Sequence, residues 1–524
     1  MSKTKKIISL VRQGYVWLKG FLNTIAMYRL VVYVLIGLLV VGFTYSLFGS
    51  LGLAPFTPIN FLISCAVILG ASWLTNKIFA KVFEAPTNTE SVYITALILM
   101  CIVTPPSQGT FLQYFSLAVW ASVWAMASKY IFAVGKKHIF NPAAIALVIT
   151  WLTIHQSASW WIGRGDMLPF AAIGGLLIVM KIRRFDMVLT FMVSALVSIG
   201  TIALISGADP IFALSTTFTD TAFVFFGTIM LTEPLTTPPT KRLQIIYAIL
   251  VGFLFAPNLH IGSVYSTPEL ALVLGNIFSY LVSPKRKYVL ALKDRVQLAN
   301  NTFEYVFAGA GNIRFRPGQY MEWLLPHAHV DSRGNRRYFT LSSSPTENEL
   351  RIGVRQYDQS SSFKKYLHDM PIGTPIIAAQ LAGDFVLPKD TTKKLVFIAG
   401  GIGITPFRSM IQYLLDTGEK RNITLLYVNK DKEDVAYQDV FDRAHAKLGV
   451  KTIYLFSNPK EVPEGSFRRG RITDELLKEV VPDYQESTFY ISGPDAMVSD
   501  IKSHLKTISV RSRQIKTDYF PGLV

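Results

Sequence analysis

Long apolar runs with few polar positions between them fill the chain up to Ser283, where the pattern changes. With roughly 20 apolar residues per membrane-crossing helix as the guide, these runs predict about ten spans. They lie near Tyr28–Phe48, Asn60–Trp73, Ser91–Thr104, Phe111–Val134, Phe140–Ile154, Leu168–Met180, Met187–Ile205, Asp220–Leu231, Leu243–Ala256 and Glu269–Val282. After Pro284-Lys285-Arg286-Lys287 the apolar runs shorten. Between Lys287 and Pro388 they are β-type and separated by Gly, Pro and Asn, the pattern of a small barrel. From Lys393 the order is strand, glycine turn, helix, strand, as in a doubly wound sheet. The expected fold is a polytopic α-helical membrane domain over 1–283, a β-barrel domain over 284–390 and an α/β doubly wound domain over 391–524.

The apolar half contains a repeat. TNTESVYITALILM (Thr87–Met100) matches TFTDTAFVFFGTIM (Thr217–Met230), and NPAAIALV from Asn141 is echoed by TPELALVL from Thr267. Five predicted spans, an odd number, separate the first pair, so the two halves are expected to be inverted copies, in a 5+5 arrangement. Inverted repeats place a functional site near the midplane, at helices interrupted by Pro or Gly. Thr232-Glu233-Pro234-Leu235-Thr236-Thr237-Pro238-Pro239 is such an interruption. Glu90 and Asp220 occupy matching places in the copies, where each reads either as a helix N-cap or as an ion or proton contact.

Composition changes this picture little. Half the residues are hydrophobic, and the mean hydropathy is +0.34 although half the chain reads as soluble. The net charge of +17 suits either nucleic acid or an anionic membrane surface. The basic residues of the first half sit at the ends of apolar runs, which favours the membrane and argues against a nucleic-acid partner. Lys3, Lys5, Lys6, Arg12 and Lys19 precede the first run. Lys77 and Lys81, Lys136 and Lys137, Lys181, Arg183 and Arg184, Lys241 and Arg242, and Lys285, Arg286 and Lys287 then fall on every second loop, while the other loops hold only Arg164. That alternation predicts a multi-pass protein of the cell membrane with both termini, and the soluble half, in the cytoplasm. The first run is too long for a signal-peptide core and is expected to be retained. Cys65 and Cys101 lie inside apolar runs, which excludes a disulfide framework and a four-cysteine iron–sulfur site within the chain. His138, His155 and His260 fall at span ends or loops, so a haem relay through paired histidines is not expected, nor is a metal site.

The chemistry-bearing motifs lie in the second half. GGIGITP (Gly400–Pro406) follows the apolar run Leu395–Ala399, the strand–turn–helix arrangement of a nucleotide-phosphate site. In RQYDQSSSFKKYLHD, Ser361 and Ser362 stand before a helical run as candidate caps of an anion-binding helix start. RYFTLSSSP (Arg337–Pro345), with PGQY (Pro317–Tyr320) upstream and GDFVLP (Gly383–Pro388) downstream, resembles the R-x-[YF]-[ST] signature of the ferredoxin–NADP reductase family. The resemblance implies FAD and NAD(P)H as cofactors. By it, Arg337, planar and permanently charged, neutralises the FAD pyrophosphate together with the Ser361–Ser362 helix start. Phe339 lies along the isoalloxazine, and Thr340 and Ser342 hydrogen-bond the flavin. Gly400, Gly401 and Gly403 let the NAD(P)H pyrophosphate approach the backbone, with Thr405 and Pro406 opening the next helix. YISGPDAM (Tyr490–Met497) resembles the family strand that ends in Cys-Gly; Ser492 replaces the cysteine beside the nicotinamide, followed by Gly493 and Pro494. Thr340 and Ser492 are thus the candidate catalytic groups. Tyr519 or Phe520, in the tail TDYFPG, is a candidate aromatic lid. Asn429, Lys430 and Lys432 leave NADH against NADPH open.

In the first half, FNPAA (Phe140–Ala144) and FGTIMLTEPLTTPPTKR (Phe226–Arg242) resemble the flavin-carrying membrane subunits of sodium-pumping NADH:quinone oxidoreductase and of the Rnf complex. That resemblance implies inverted helical repeats and a flavin. Trp151–Met167 lacks the S-G-A-T motif of covalent attachment, which leaves a second, non-covalent flavin (FMN or riboflavin) or a quinone near Asn141, Thr232 and Glu233. The expected function is membrane-bound electron transfer from cytosolic NAD(P)H through FAD to an acceptor in or across the bilayer: a second flavin, a quinone, or an extracytoplasmic flavin, iron or carrier protein. Expected partners are membrane lipid and that acceptor, with a homo-oligomer or a complex with other electron carriers in view. The alternative is an ion or solute transporter of inverted-repeat type, driven or regulated by a reductase domain.

Overall fold

The computed structural model describes residues 14, 17–18, 20–48, 56–83, 89–106, 111–135, 137–257, 259–262, 264–284, 287–309, 311, 313–331, 333–457 and 467–518. It divides into two compact units, Met1–Lys287 and Tyr288–Val524.

The first unit is helical. Each predicted run overlaps a helix: Met27–Leu47, Pro58–Val82, Thr89–Ile102, Phe111–Ile131, Pro142–Ile154, Leu168–Ile182, Phe185–Ile205, Phe223–Met230, Lys241–Leu254 and Pro268–Val282; a further helix, Pro210–Thr219, lies outside the runs and forms a bent pair with Phe223–Met230. Among the described residues four of these are long and apolar enough to cross a membrane, five if the bent pair counts as one. At 1.5 Å per residue, helices of 13 to 15 residues such as Pro142–Ile154 and Pro268–Val282 are shorter than the roughly 30 Å hydrocarbon layer. Large apolar side chains point outward along the long helices, including Leu189, Val193 and Val197 of Phe185–Ile205 and Ile59 and Leu62 of Pro58–Val82. Inward faces are held by close approach and by hydroxyl bonds. Ser194 and Ser198 donate to the carbonyls of Ile249 and Phe253, both at 3.0 Å, and tie Phe185–Ile205 to Lys241–Leu254. Two short hairpins, β1–β2 (Ala133–Val134, Lys137–His138) and β3–β4 (His260–Ile261, Val264–Tyr265), join helices.

The two copies of the repeated motif adopt different structures. In the first, Glu90 sits in the opening turn of Thr89–Ile102 and pairs with Arg29 at 3.3 Å. In the second the helix breaks. Thr216, Thr217 and Thr221 donate their hydroxyls to carbonyls four residues back, competing with the helical ladder. The chain then bends by 68° between Pro210–Thr219 and Phe223–Met230. Asp220 closes the earlier helix as a C-cap, accepting the Thr219 hydroxyl at 2.8 Å, rather than capping the next one. Phe226–Met230 is a π-helix, a distortion frequent at functional sites.

The second unit holds two six-stranded sheets. The first comprises β5 (Tyr288–Ala299), β6 (Thr302–Ala308), β7 (Tyr320–Leu324), β8 (Arg336–Thr340), β9 (Leu350–Arg355) and β10 (Pro375–Ala382), in antiparallel order β8-β7-β10-β5-β6-β9. Its end strands curl together: the Ser342 N–H donates to the Arg351 carbonyl at 2.8 Å. Leu290, Tyr305, Phe307, Trp323, Phe339 and Phe363 fill the interior. The second sheet comprises β11 (Leu395–Gly400), β12 (Ile423–Asn429), β13 (Lys451–Phe456), β14 (Phe467–Arg469), β15 (Thr488–Ser492) and β16 (Ile515–Thr517), all parallel, in the order β14-β13-β12-β11-β15-β16. Every residue of β11 is buried. Phe397 faces a layer with Phe407 and Met410, while Val396 and Ile398 face Ile501 and Leu505, so helices cover both sides as a parallel sheet requires. Strand order reverses at β11, between β12 and β15, and the crevice at the carboxyl ends of those strands is where such sheets bind ligands.

Candidate functional site

At the switch point the turns after β11 and β15 meet backbone to backbone. A Cβ placed on Gly403 would lie 2.5 Å from the Ser492 carbonyl oxygen and 2.7 Å from the Gly493 nitrogen. Gly401, at φ +53°, takes the left-handed conformation that turns the chain into Thr405–Thr417. Pro406 sits in the first turn of that helix, whose free N–H groups point toward the crevice end of the sheet. Pro494 caps the next helix, Asp495–Thr507. The structure therefore gathers Gly400, Gly401, Gly403, Thr405, Pro406, Ser492, Gly493 and Pro494 around one crevice. A pyrophosphate there meets close-lying amide N–H groups and the positive end of a helix.

The two sheets converge on one carboxylate. Asp518, just past β16, accepts from Ser492 Oγ at 3.1 Å and lies 3.4 Å from the Thr340 hydroxyl at the end of β8. Thr340 and Ser492 are thus brought together, and Asp518 is a site residue that motif reading missed. Its only sequence signal was its place in TDYFPG, where attention fell on the aromatics. Tyr519 and Phe520 lie outside the described residues.

Arg337 and Phe339 point into the antiparallel core from the same face of β8. Arg337 is 1 % exposed. One of its terminal nitrogens donates to the carbonyls of Arg333, Gly334 and Arg336 at 2.9, 3.1 and 2.6 Å. The other, Nη2, is buried without a hydrogen-bond partner among the described residues. Burial pulls the guanidinium down to about 10, so it remains charged at neutral pH. Nearby, Ser361 caps Ser362–Asp369 by accepting from the Lys364 N–H at 3.3 Å. Lys364, which motif reading did not single out, is 9 % exposed and held down at about 8, first by burial and then by the Arg337 and Arg333 charges. Two buried cations beside a helix start, one with an unused donor, form a set that an anion completes. A diphosphate fits this chemistry.

Two predicted contacts have other partners. Ser342 is fully buried, and its hydroxyl donates to Glu304 at 3.1 Å, not toward the crevice. Glu304 also accepts from Arg351 of the same sheet at 3.0 Å and from Tyr437, at the start of the helix Gln438–Leu448, at 2.9 Å. Ser362 is the first helical residue rather than a cap. Its hydroxyl accepts the Asp331 N–H at 3.0 Å and lies 3.0 Å from His327 Nε2, while Asp331 in turn accepts the Ser362 N–H at 3.0 Å. The local reason is Asp331, a carboxylate that already satisfies that amide.

In the first unit Asn141 and Glu233, 92 residues apart, touch: Asn141 Nδ2 donates to Glu233 at 2.9 Å. Asn141 caps Pro142–Ile154 through the Ala144 N–H at 3.1 Å, and its own N–H donates to Asn276 Oδ1 at 2.7 Å. Glu233 also accepts from Thr236 at 3.1 Å and faces His138 Nε2 at 3.5 Å. The Thr232 hydroxyl is committed to the Thr228 carbonyl at 2.8 Å, and its own carbonyl accepts from Arg184 at 3.1 Å, so Thr232 supports the cluster without presenting its hydroxyl to it. Tyr247 and Asn276 are members that motif reading did not name, and His138, read only as a residue at a span end, is another.

Residues 397–503 match the oxidoreductase NAD-binding domain family. A flavohemoprotein of Candida albicans is 35% identical over 213 residues, which is 39% of this chain and 50% of the relative. A flavohemoprotein of Oceanobacillus iheyensis is 30% identical over 216 residues, 40% of this chain and 52% of the relative. The second unit is an FAD- and NAD(P)H-binding oxidoreductase domain. It is similar to the ferredoxin–NADP reductase family. The chain spans about half the length of the curated relatives it matches. Among solved structures, the FAD/NAD-binding domain of a nitric oxide dioxygenase from Vibrio cholerae aligns with 44% of this chain and 98% of its own, at 20% identity and a TM-score of 0.40.

Proposed function

We propose that the protein is a membrane-bound flavoprotein oxidoreductase that passes electrons from cytosolic NAD(P)H, by way of FAD, to an acceptor in or across the bilayer. The observation that carries this reading is the meeting of Thr340 and Ser492, from two different sheets, at Asp518. A polar group from the flavin side and one from the nicotinamide side share a carboxylate at a topological switch point.

Arg337, Lys364 and the Ser361 helix start would hold the FAD diphosphate, with Phe339 and Thr340 beside the ring system. Gly400, Gly401, Gly403 and the Thr405–Pro406 helix start would hold the dinucleotide diphosphate, and Ser492, Gly493 and Pro494 would border the nicotinamide. Tyr519 or Phe520 is the proposed lid. Bound FAD supplies the conversion between a two-electron hydride donor and single-electron transfer. The protein's part is to orient: Asp518 fixes both hydroxyls by hydrogen bonds, and the close glycine turns let the backbone approach the dinucleotide without a side chain between.

For the membrane unit the reading is ten spans in a 5+5 inverted arrangement, both termini cytoplasmic, lipid around the outward apolar faces, and the acceptor at the Asn141–Thr232–Glu233 cluster. That acceptor is a quinone or a second, non-covalent flavin that hands electrons to an extracytoplasmic flavin or iron carrier. Purified protein should release FAD on denaturation and oxidise NADH or NADPH with ferricyanide as electron sink. Protein that is well folded, carries no flavin and oxidises neither nucleotide would refute the reading.

A further inference from the structure

The helix that follows the glycine turn also grips the antiparallel sheet. Arg408 and Ser409 lie three and four positions after Thr405, so the three share one face of Thr405–Thr417. The backbone of β9 closes on that face: a Cβ on Gly353 would stand 2.8 Å from Thr405 Cγ2 and 2.9 Å from the Tyr437 hydroxyl. Arg408 is buried, and its Nη1 donates to the Ser342 carbonyl at 2.9 Å. Both of its terminal nitrogens also reach the Glu347 carboxylate, Nη2 at 3.0 Å. Ser409, buried as well, donates its hydroxyl to the Ser343 carbonyl at 2.6 Å. Glu347 turns back to accept the Ser344 N–H at 2.6 Å, which folds the segment 342–347 onto itself. Tyr437, held at φ +59°, lays its ring 5.7 Å from the Arg408 guanidinium carbon and donates to Glu304 at 2.9 Å.

This grip ties together the two stretches that border the cofactors. Ser342 follows Thr340 by two residues, and Arg408 follows Gly403 by five. A buried ion pair is weak evidence for stability, since apolar replacements of similar volume are often neutral or better. What it adds is direction: a planar guanidinium bound to a carboxylate and a carbonyl admits one geometry, where apolar packing admits several. We propose that Arg408 is a positioning residue for hydride transfer: by holding Ser342 and Glu347 it sets the spacing between a flavin beside Thr340 and a nicotinamide beside Ser492. The inference rests on the reading above that this unit carries a hydride from NAD(P)H to FAD, and it names a residue that reading leaves unassigned. NAD(P)H gives up a hydride, two electrons with one proton, and becomes NAD(P)⁺. FAD takes up the hydride and one proton from water. Arg408 keeps its proton throughout and touches neither reacting atom.

The test uses the full chain in detergent, with NADH carrying hydrogen or deuterium at the transferred position. Misplacement of reacting groups by about 1 Å costs about 100-fold. Arg408→Met should therefore slow flavin bleaching by NADH about 10- to 100-fold, with flavin content and KM close to wild type. The deuterium isotope effect on ferricyanide turnover should rise, because the transfer becomes the slowest step. Arg408→Lys, which keeps the charge, should recover part of the rate. Arg408→Met/Glu347→Gln should fall no further than Arg408→Met, because both residues act through one contact. Hydrogen exchange supplies a readout without turnover: amides of 343–351 should exchange faster in Arg408→Met, while those of β11 keep their protection. Wild-type bleaching and isotope effect in a flavin-loaded Arg408→Met would overturn the proposal and leave the oxidoreductase reading intact. A rate that falls only in step with flavin content, with the isotope effect unmoved, would overturn it in favour of a structural role. If Arg408→Met does not fold, Arg408→Lys and Glu347→Gln decide by the same two criteria. A wild-type chain that holds no flavin and oxidises neither nucleotide would end the oxidoreductase reading and the proposal together.

Discussion

Replacing Gly403 with alanine puts a methyl group where the two turns of the switch point touch. The new Cβ would stand 2.5 Å from the Ser492 carbonyl oxygen, 2.6 Å from its carbon and 2.7 Å from the Gly493 nitrogen. All three are backbone atoms, so no side chain can swing aside. Ordinary contact requires the turns to separate by about 1 Å. Overpacking of this kind costs about 1–3 kcal/mol. Drawn from NAD(P)H binding, that is a rise in KM of roughly 5- to 150-fold. FAD should stay bound, because Arg337, Lys364 and Ser361 are distant from Gly403 in sequence and belong to the antiparallel sheet and its helix. Gly400→Ala is the internal control: its nearest obstacle is the tip of Met497, a flexible side chain. Its KM should rise less than that of Gly403→Ala. Initial rates with ferricyanide over a range of NADH and NADPH concentrations, with flavin content from absorbance, decide the matter. A Gly403→Ala protein with wild-type KM and kcat would refute the placement of the dinucleotide at these turns.

Arg337→Ala should lower flavin content while leaving membrane insertion intact, and Arg337→Lys should restore it only in part, since an ammonium cannot reproduce the planar fork; full flavin occupancy in Arg337→Ala would contradict the anion site. Asp518→Ala should lower kcat by on the order of 10- to 100-fold with FAD content unchanged, because the Thr340 and Ser492 hydroxyls lose their common anchor; stopped-flow rates of flavin bleaching by NADH provide the check, and an unaffected rate would dismiss the residue. FAD affinity of the flavin-stripped protein should fall as pH rises through about 8. Lys364 loses its proton there in the anion-free state, a bound diphosphate raises its pKa, and binding above pH 8 must therefore take up a proton. Calorimetry at pH 7 and pH 9 tests this, and Lys364→Met should flatten the dependence.

The sheets, helices and glycine turns were legible because local signals agree with one another. Leu395–Gly400 is a short apolar run that ends in glycine, and Ser361 precedes a periodic stretch. The apolar runs of the first half located the longer helices, since solvation by lipid or by other apolar helices needs only length and hydropathy; the helix Pro210–Thr219 fell outside them. Three features were not legible, each for a spatial reason. Asp518 meets Thr340 across 178 residues of sequence, and no local pattern announces a contact of that span. Nothing local in SSSFKKYLHD marks Lys364 as buried; only the fold places it beside Arg337. Ser342 stood in the motif's expected place, but Glu304, on the neighbouring strand pair, claims its hydroxyl. In the repeated motif, composition matched while structure did not: the second copy's helix ends at Asp220 and a new one starts at Phe223, bent by 68°. Asn141 and Glu233 were each singled out, yet their contact, and the place of His138 beside Glu233, came only with the fold.

The central claim is that one chain takes electrons from NAD(P)H and delivers them to an acceptor held in the membrane. The most direct measurement is anaerobic: bleach the visible flavin absorbance of the full-length protein with one equivalent of NADH, then mix it with liposomes that contain or lack quinone. The account predicts rapid bleaching, stable reduction with plain liposomes, and prompt recovery of flavin absorbance with quinone-loaded ones. Flavin that fails to bleach, or that recovers equally slowly in both, would contradict it.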